Sequence, residues 1–181
     1  MALLQATALP PSGTLDGYID RMAKEDTRSL ELLYRAAAPS VYAYALSILK
    51  NSHDAEDILQ EAFLSFYSNA SSYSSQGKPM AWMLTITRNL CFKRLAERQR
   101  FAQSPEFEWD GFLPKQYVLD ADDKLVIEAC MRVLSDEERQ IVVLHAVSGF
   151  KHREIASMLQ LPLSTVLSKY HRALKKMKAS L

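Results

Sequence analysis

The acidic residues of HDAEDILQEAF, residues 53–63, are the first candidates for chemistry in this 181-residue chain. Asp54, Glu56, Asp57 and Glu61 could form a metal site, an acid–base pair or a surface for a partner. A metal site is disfavoured, because no HExxH pair adjoins the acids and hard-cation loops use a different spacing. Acid–base catalysis is disfavoured because exposed carboxylates keep ordinary pKa values. A solvated helix face and a partner surface both remain open.

A helix must position these acids, and apolar spacing predicts one from about residue 53 to residue 68. At about 100° per residue, one stripe of this helix is apolar and predicts its core side. That stripe consists of Ala55, Ile58, Leu59, Ala62, Phe63, Phe66 and Tyr67. Asp54, Asp57, Gln60 and Glu61 gather with Leu64 on the opposite face. We therefore expect the acids to point away from the core, and a leucine among them suits a basic, partly apolar partner.

The C-terminal residues predict a helix–turn–helix, with helices near 152–159 and 164–178 and Ser164 as the N-cap of the second. The core stripe of the second helix is Val166, Tyr170, Ala173, Leu174 and Met177. The opposite face carries hydroxyls and cations, at Thr165, Ser168, Lys169, Arg172 and Lys176. Because a helix–turn–helix places its second helix in the major groove, this face favours DNA binding over an ordinary basic surface helix.

Residues 71–98 offer groups that suit unpaired DNA. Five cations, Arg88, Lys93, Arg94, Arg98 and the adjoining Arg100, are opposed by Glu97 alone. Trp82, Asn89 and Lys93 share one helical face opposite an apolar stripe. An aromatic ring, an amide and a cation suit an unstacked base and its backbone. Core packing is an equal alternative for Trp82, because tryptophan is largely buried in most proteins.

The remaining patterns predict an all-α fold, since the chain has only five glycines and few alternating runs. Helical spacing predicts helices over 16–26, 28–50 and 79–100, and Pro39 could split or kink the second. Ser135 and Glu138 match a capping box that begins another helix, and Gly149 suits the end of that helix.

We expect two small helical domains joined by a flexible acidic linker, the second domain being the helix–turn–helix. A loose leader covers 1–15, the first domain 16–100, the linker 101–124 and the second domain 125–181. The linker carries two lysines against six acidic residues, a net charge of −4. Residues 151–181 carry seven Lys and Arg against one Glu, a net charge of +6. Such asymmetry indicates charged partners.

The sequence does not indicate an enzyme, a cofactor or a metal site, because it has no GxxxxGK, HExxH, GxSxG or GxGxxG motif. We expect His145, in an apolar helix, to be a core residue with a hydrogen-bond partner. Cys91 and Cys130 are far apart without a CxxC motif, which suits a reducing cytosol. The sequence contains no run of about 18 apolar residues, so we expect no membrane span. We expect a cytoplasmic protein.

Residues 28–100 and 125–181 together resemble bacterial RNA polymerase sigma factors of the sigma-70 family, extracytoplasmic-function (ECF) group. DAEDILQEAFLSFY is similar to the core-polymerase-binding helix of that family, and WMLTITRNLCFKRL to its −10 promoter helix. LSDEERQIVVLHAVSGFKHREIASMLQLPLSTVLSKYHRALKKM is similar to its −35 domain. The resemblance implies a non-enzymatic subunit whose partners are core RNA polymerase, through the β′ clamp helices and β flap, promoter DNA and an anti-sigma factor.

The resemblance also implies residue roles, in three groups. Core polymerase would be bound by Asp54, Asp57, Gln60, Glu61 and Leu64. The −10 DNA would be bound by Ser74, Ser75, Gln76, Lys78, Trp82, Asn89, Lys93 and Arg94. The −35 DNA would be bound by Ser164, Thr165, Ser168, Lys169, Arg172 and Lys176. The rival hypotheses are a free-standing helix–turn–helix regulator, which does not need residues 53–98, and a decoy that only binds an anti-sigma protein.

Overall fold

The computed structural model describes residues 11–75, 77–100 and 131–180. Within these ranges it contains seven complete α-helices and one short 3₁₀ helix. The helices are α1 Ser12–Met22, α2 Thr27–Leu49, α3 Ser52–Asn69, the 3₁₀ helix Ala70–Ser72, α4 Pro79–Arg100, α5 Asp136–Ala146, α6 His152–Leu159 and α7 Leu163–Ala179. The all-α prediction is confirmed. The predicted linker, most of the predicted leader and Cys130 lie outside the described residues.

The first domain is built around α2, which packs against α1, α3 and α4. Its apolar side chains are buried because all three neighbours turn their apolar stripes toward it. Tyr44 and Leu46 of α2, Phe66 of α3 and Met83 of α4 are fully buried side chains of this core. The predicted helix over the acidic stretch is confirmed, and this packing turns Asp57, Gln60 and Leu64 of its polar face outward.

Helix α1 begins and ends about four residues earlier than predicted. Leu15, Ile19 and Met22 are buried at i, i+4 and i+7, so packing on α2 requires a helix that already includes the residues from Ser12 onward. Asp26, predicted to lie in this helix, instead caps α2, accepting a hydrogen bond from the Arg28 backbone N–H at 3.1 Å.

Helix α2 runs without a break through Pro39. A proline inside a helix removes one backbone hydrogen bond and crowds the preceding turn. Residues on both sides of it, from Ala37 to Val41, are buried against neighbouring helices, apart from half-buried Pro39 itself. Tertiary packing therefore offsets the local cost, and Pro39 does not split the helix.

The second domain consists of α5, α6 and α7, and the predicted capping box begins it. The Ser135 backbone N–H donates to Glu138 Oε2 at 2.9 Å, and the Glu138 backbone N–H donates to Ser135 Oγ at 3.4 Å. Gly149 has a φ of +70°, a left-handed conformation that suits glycine, three residues after α5 ends. Val166 and Ala173 are the buried residues of α7.

Two details of α7 differ from the prediction. Pro162 occupies the N-cap position instead of Ser164, and its carbonyl accepts the backbone N–H of Thr165 at 3.0 Å and of Val166 at 3.1 Å. The fixed φ of proline suits this entry into a helix. Leu174, predicted in the core stripe, is 43% exposed, whereas the adjacent Ala173 is fully buried.

The two domains touch where α5 packs against α2. Arg139 of α5 is buried, and its Nη2 donates to the Leu134 carbonyl at 2.8 Å while its Nη1 reaches the Ser47 carbonyl of α2 at 3.5 Å. Lys50 Nζ, just after α2, lies 2.6 Å from Asp136 Oδ1 at the start of α5. These contacts hold the second domain at the C-terminal end of α2.

Candidate functional site

The outer face of α3 carries polar residues and one large apolar residue. Asn51 caps the helix, because its side-chain oxygen accepts the Asp54 backbone N–H at 2.9 Å. Asp57 and Gln60 are exposed, and Leu64, one turn further along, is 68% exposed. This face offers a contact for a partner with cations and apolar surface.

Asp54 was predicted to point into solvent, and the structure shows that it does not. Its side chain is only 10% exposed, because two arginines of α4 cover it. Arg94 Nη1 lies 3.3 Å from Asp54 Oδ1, and Arg98 Nη2 forms an ion pair with Asp54 Oδ2. A helical wheel of α3 alone places Asp54 outward, but the neighbouring helix closes over that position.

Arg94 also reaches the two more exposed carboxylates of α3. Its Nη1 lies 3.4 Å from Asp57 Oδ2, and its Nη2 lies 4.0 Å from Glu61 Oε2. Beneath the cluster, burial raises the pKa of the Cys91 thiol to about 12; Arg94 opposes this shift and Asp54 adds to it. The structure thus brings Arg94, predicted to contact −10 DNA, to the face predicted to bind polymerase.

The outer face of α4 displays Asn89 and Lys93, which are both exposed. Trp82 is half-buried, with its ring 5.7 Å from that of Phe66 and 4.7 Å from that of Tyr73, measured between centroids. The sequence left core packing and a DNA-facing surface open for Trp82. Its position is compatible with both, since it packs on the core and keeps part of its surface in solvent.

The loop before α4 is polar and exposed. Ser74, Ser75 and Lys78 lie on the surface, and Gln76 lies outside the described residues. Pro79 and Met80 are buried where the loop enters α4. The loop therefore joins α4 through buried residues while its own polar side chains stay on the surface.

Phe92 is a functional candidate that the sequence interpretation missed. It is 43% exposed, and the guanidinium carbon of Arg88 lies 4.7 Å from its ring centroid. A cation over an aromatic face at this distance is a cation–π contact. Phe92 lies three residues after Asn89 and one before Lys93, so a helical wheel centred on Asn89 would have found it.

Helix α7 displays part of its predicted face. Ser164, Ser168 and Arg172 are exposed, and Thr165 is half-buried. The predicted DNA-binding cations Lys169 and Lys176 contact acids of α5.

Lys169 Nζ lies 2.5 Å from Glu137 Oε2, and Lys176 Nζ lies 2.7 Å from Glu138 Oε2. Burial tends to raise the pKa of Glu138, but the Lys176 ammonium and the Ser135 backbone N–H outweigh it and hold the pKa below its ordinary value. Both lysines thus tie α7 to α5, and Glu138 serves the capping box and this ion pair together.

Three aromatic rings pack together where the helices of the second domain meet. His145 and His152 stack with centroids 4.4 Å apart, and the Tyr170 ring lies 4.9 and 4.7 Å from them. His145 is half-buried and not in the core as predicted, but it has the predicted partner, since its Nδ1 hydrogen-bonds with the Phe150 carbonyl at 2.8 Å. Across the described part of the chain, no three His, Cys, Asp or Glu side chains are grouped to hold a metal ion.

Comparison with known proteins matches both domains in order. The Sigma-70 region 2 family model matches residues 33–101, and the Sigma-70 region 4 model matches residues 124–177. The ECF RNA polymerase sigma factor SigK of Mycobacterium tuberculosis (strain ATCC 25618 / H37Rv) is 26% identical over 93% of this chain and 95% of its own. The chain belongs to the ECF sigma factors of the sigma-70 family.

Further relatives of this sigma factor agree. The ECF RNA polymerase sigma factor SigW of Bacillus subtilis (strain 168) is 28% identical over 73% of this chain and 78% of its own. The fold is shared with the sigma factor RpoE, solved with the anti-sigma factor NepR from Bartonella quintana, at a TM-score of 0.70, 21% identity and coverage of 85% and 97%. CnrH, solved with the cytosolic domain of CnrY, gives a TM-score of 0.64 at 18% identity, covering 92% and 96%.

Membership of this family defines the activity. A sigma factor is a non-enzymatic subunit that binds core RNA polymerase, recognises the −35 and −10 promoter elements and promotes transcription initiation. The first domain of this ECF sigma factor corresponds to region 2 and the second to region 4. In the ranges that the structure describes, no helix is long and apolar enough to cross a bilayer.

Proposed function

We propose that three outward faces divide the work of this ECF sigma factor. The outer face of α3 binds core polymerase, the outer face of α4 with loop 74–78 holds unpaired −10 DNA, and α7 binds the −35 element. The observation that carries the proposal is the exposed row on α4, where Asn89, Phe92 and Lys93 offer an amide, a ring and a cation side by side. The sequence-based domain limits, 1–15, 16–100, 101–124 and 125–181, form part of this proposal.

The α3 face fits the β′ clamp helices of the polymerase if these present cations beside apolar surface. Asp57, Gln60 and Glu61 supply acceptors, and Leu64 supplies an apolar group that is 68% exposed in the free protein. A single exposed leucine is common on protein surfaces, so Leu64 supports a contact here only together with the acceptors around it. Asp54 acts from beneath this face, because its side chain is almost out of solvent.

The α4 face fits single-stranded DNA. Base stacking on an aromatic ring tolerates any base, and a cation nearby tracks the phosphates. Phe92, with Arg88 over its ring, supplies the stacking surface, while Lys93 supplies the exposed charge. Asn89 and the polar loop at Ser74, Ser75, Gln76 and Lys78 offer hydrogen bonds to a flipped base, whose unstacking costs a few kcal/mol. Trp82 backs this surface from the core side.

The α7 face contacts the −35 element through its exposed residues. Ser164, Ser168 and Arg172 point away from the domain, where base edges and phosphates would lie in the major groove. Thr165 is half-buried beside them. We propose that Lys169 and Lys176 reach DNA only by exchanging their α5 carboxylates for phosphates.

The remaining partners follow from the family. The second domain would contact the β flap, and the acidic linker would follow the nucleic-acid path of the polymerase. Two structural neighbours were solved with an anti-sigma factor or with the cytosolic domain of CnrY. We infer that this chain is likewise held by an anti-sigma factor, and that it works in the cytoplasm, where its polymerase is.

Promoter opening by the reconstituted holoenzyme tests the proposal. Run-off transcription over promoter-containing fragments finds a template, and permanganate reactivity of −10 thymines then reports strand separation. Asn89→Ala should leave core binding intact and reduce thymine reactivity, whereas Gln99→Ala, a matched exposed amide on the same helix, should not. A template with a pre-melted −10 bubble should restore part of the activity of Asn89→Ala, because unpairing is already done.

A different result would exclude the α4 assignment. If the Asn89→Ala and Gln99→Ala holoenzymes open the promoter equally, Asn89 does not hold the −10 strand. If wild-type holoenzyme gives no reactive thymines at any promoter that it binds, the melting role itself fails.

A further inference from the structure

Arg94 lies on a different side of α4 from the residues that we assign to −10 DNA. Asn89 and Lys93 are exposed on the outer face of the helix. At about 100° per residue, Arg94 is turned about 100° from Lys93 and about 140° from Asn89. This rotation directs Arg94 at α3, where its guanidinium meets the carboxylates of Asp54 and Asp57.

Asp54 anchors this guanidinium at its inner end. The Asp54 side chain is 10% exposed, and a carboxylate with so little contact to water requires cationic or hydrogen-bonding partners. Arg94, at 3.3 Å, and Arg98 supply them. Because Asp54 is nearly out of solvent and the Arg94 side chain is only 27% exposed, this inner contact fixes where the outer nitrogens of Arg94 lie.

The outer nitrogens of Arg94 meet carboxylates that solvent still reaches. The side chains of Asp57 and Glu61 are 63% and 44% exposed, and they lie 3.4 and 4.0 Å from the guanidinium. Exposed ion pairs of this kind contribute little to stability. Their effect is on the orientation of the two carboxylates. These lie one helical turn apart and both contact the fixed guanidinium of Arg94, while much of each side chain remains accessible to solvent.

We propose that Arg94, fixed by Asp54, is a positioning residue of the polymerase-binding surface. It sets the directions of the Asp57 and Glu61 carboxylates before a cationic partner arrives. Side chains that are already ordered lose less rotamer freedom on binding, so preorganisation increases affinity without a direct contact. The inference rests on the proposed function of α3, and it assigns Arg94 to that face in place of the −10 face.

Charge alone predicts the opposite effect, which makes the proposal testable. Removing Arg94 makes the α3 face more negative and would strengthen long-range attraction to a cationic partner. That attraction is screened beyond about 8 Å at physiological ionic strength, whereas positioning acts at contact distance. At physiological salt we therefore expect the loss of positioning to dominate.

Equilibrium titration of the full-length chain with core polymerase tests this expectation, with circular dichroism as the check on folding. Arg94→Ala should bind core polymerase about tenfold more weakly. This is the cost expected when two side chains, Asp57 and Glu61, must be ordered on binding instead of beforehand. Arg94→Lys keeps a charge beside Asp54 and the fold, but a point charge cannot bridge three carboxylates, so it should restore only part of the affinity. Lys93→Ala, the adjacent exposed cation, should bind core polymerase as the wild type does.

Promoter binding by the assembled holoenzyme should give the reverse pattern. Lys93→Ala should reduce the slope of log K against log salt by about 0.7, the value for one lost phosphate contact on single-stranded DNA. Arg94→Ala should leave that slope unchanged. In a Glu61→Gln background, Arg94→Ala should cost less core affinity than in the wild type, because part of its action passes through Glu61.

Each failure would have a separate meaning. Unchanged or tighter core binding by folded Arg94→Ala, or by Arg94→Lys, would overturn the positioning role, and so would a reduced salt slope for Arg94→Ala. If charge reversal at Asp57 and Glu61 also leaves core binding unchanged, the α3 proposal itself falls. If reversal weakens binding and the Arg94 variants do not, only the role of Arg94 falls.

Discussion

Leu64→Ala tests whether polymerase buries the exposed leucine of α3. Since Leu64 is 68% exposed, it has little packing to lose, and the free energy of unfolding should change by less than about 0.5 kcal/mol. The substitution removes three carbon atoms, which are worth about 2.4 kcal/mol when fully buried at about 0.8 kcal/mol each. About two thirds of that area is available to a partner, so binding should weaken by about 1.6 kcal/mol, or about fifteenfold in Kd.

A competition titration against labelled wild-type protein measures this change in Kd. Leu32→Ala is the matched control, because Leu32 is an exposed leucine on α2 that we assign to no partner. Phe66→Ala gives the contrast, since its side chain is fully buried and its loss should lower the free energy of unfolding by about 3–5 kcal/mol. A folded Leu64→Ala variant whose Kd stays within about twofold of the wild-type value would refute the reasoning, because Leu64 would then remain in water in the complex.

Three further results are expected. Burial, and to a smaller extent two neighbouring histidines, lower the pKa of His152 in the folded chain. The stability that its neutral form gives is therefore complete above about pH 6.5 and is lost as the pH falls through the folded value, so His152→Phe should flatten the fall in Tm at acid pH. Burial raises the pKa of Cys91 to about 12, so mass spectrometry should find this thiol unalkylated at pH 8 until the protein is denatured. Glu138→Ala removes the acceptor for Lys176 and one half of the capping box, and urea denaturation should show a loss of about 1–2 kcal/mol.

The helices could be predicted because their signals are local. The apolar stripe of α3 repeats with the helical period, and the structure places that helix within one residue of the predicted bounds. The capping box at Ser135 and Glu138 is also a short-range pattern. Pro162 and Ser164 are competing N-cap signals for α7. The helix is capped at Pro162, two residues earlier than the serine predicted, because the fixed φ of proline suits that position.

The charge pairing could not be predicted because it depends on packing between helices. Asp54 and Arg98 are 44 positions apart, and Lys176 and Glu138 are 38 apart. A wheel of one helix shows which residues share a face, but not which of them a second helix covers. Asp54 was therefore expected in solvent, and Lys176 was expected to be available to a phosphate.

The contact between the two domains has a consequence for promoter geometry. The −35 and −10 elements are separated by about 25 base pairs, or about 85 Å along a duplex at 3.4 Å per base pair. A compact domain of this size is about 30 Å across, so two domains joined at Lys50 and Asp136 are too close together to occupy both elements. The 24 residues of the proposed linker, 101–124, can span at most about 85 Å when fully extended, which is enough once the contact opens.

We therefore expect the contact between the domains, including the Lys50–Asp136 ion pair and the buried Arg139, to lower promoter occupancy by the free chain. Only molecules whose two domains have come apart can bridge both elements. The apparent dissociation constant for promoter DNA therefore equals the intrinsic constant divided by the fraction of molecules in that separated form. Each tenfold preference for the closed form, in which the two domains touch, weakens the apparent affinity for promoter DNA about tenfold. A polymerase that pulls the two domains onto distant surfaces removes that penalty, so core binding alone can raise the affinity of the chain for its promoter without changing one contact to DNA.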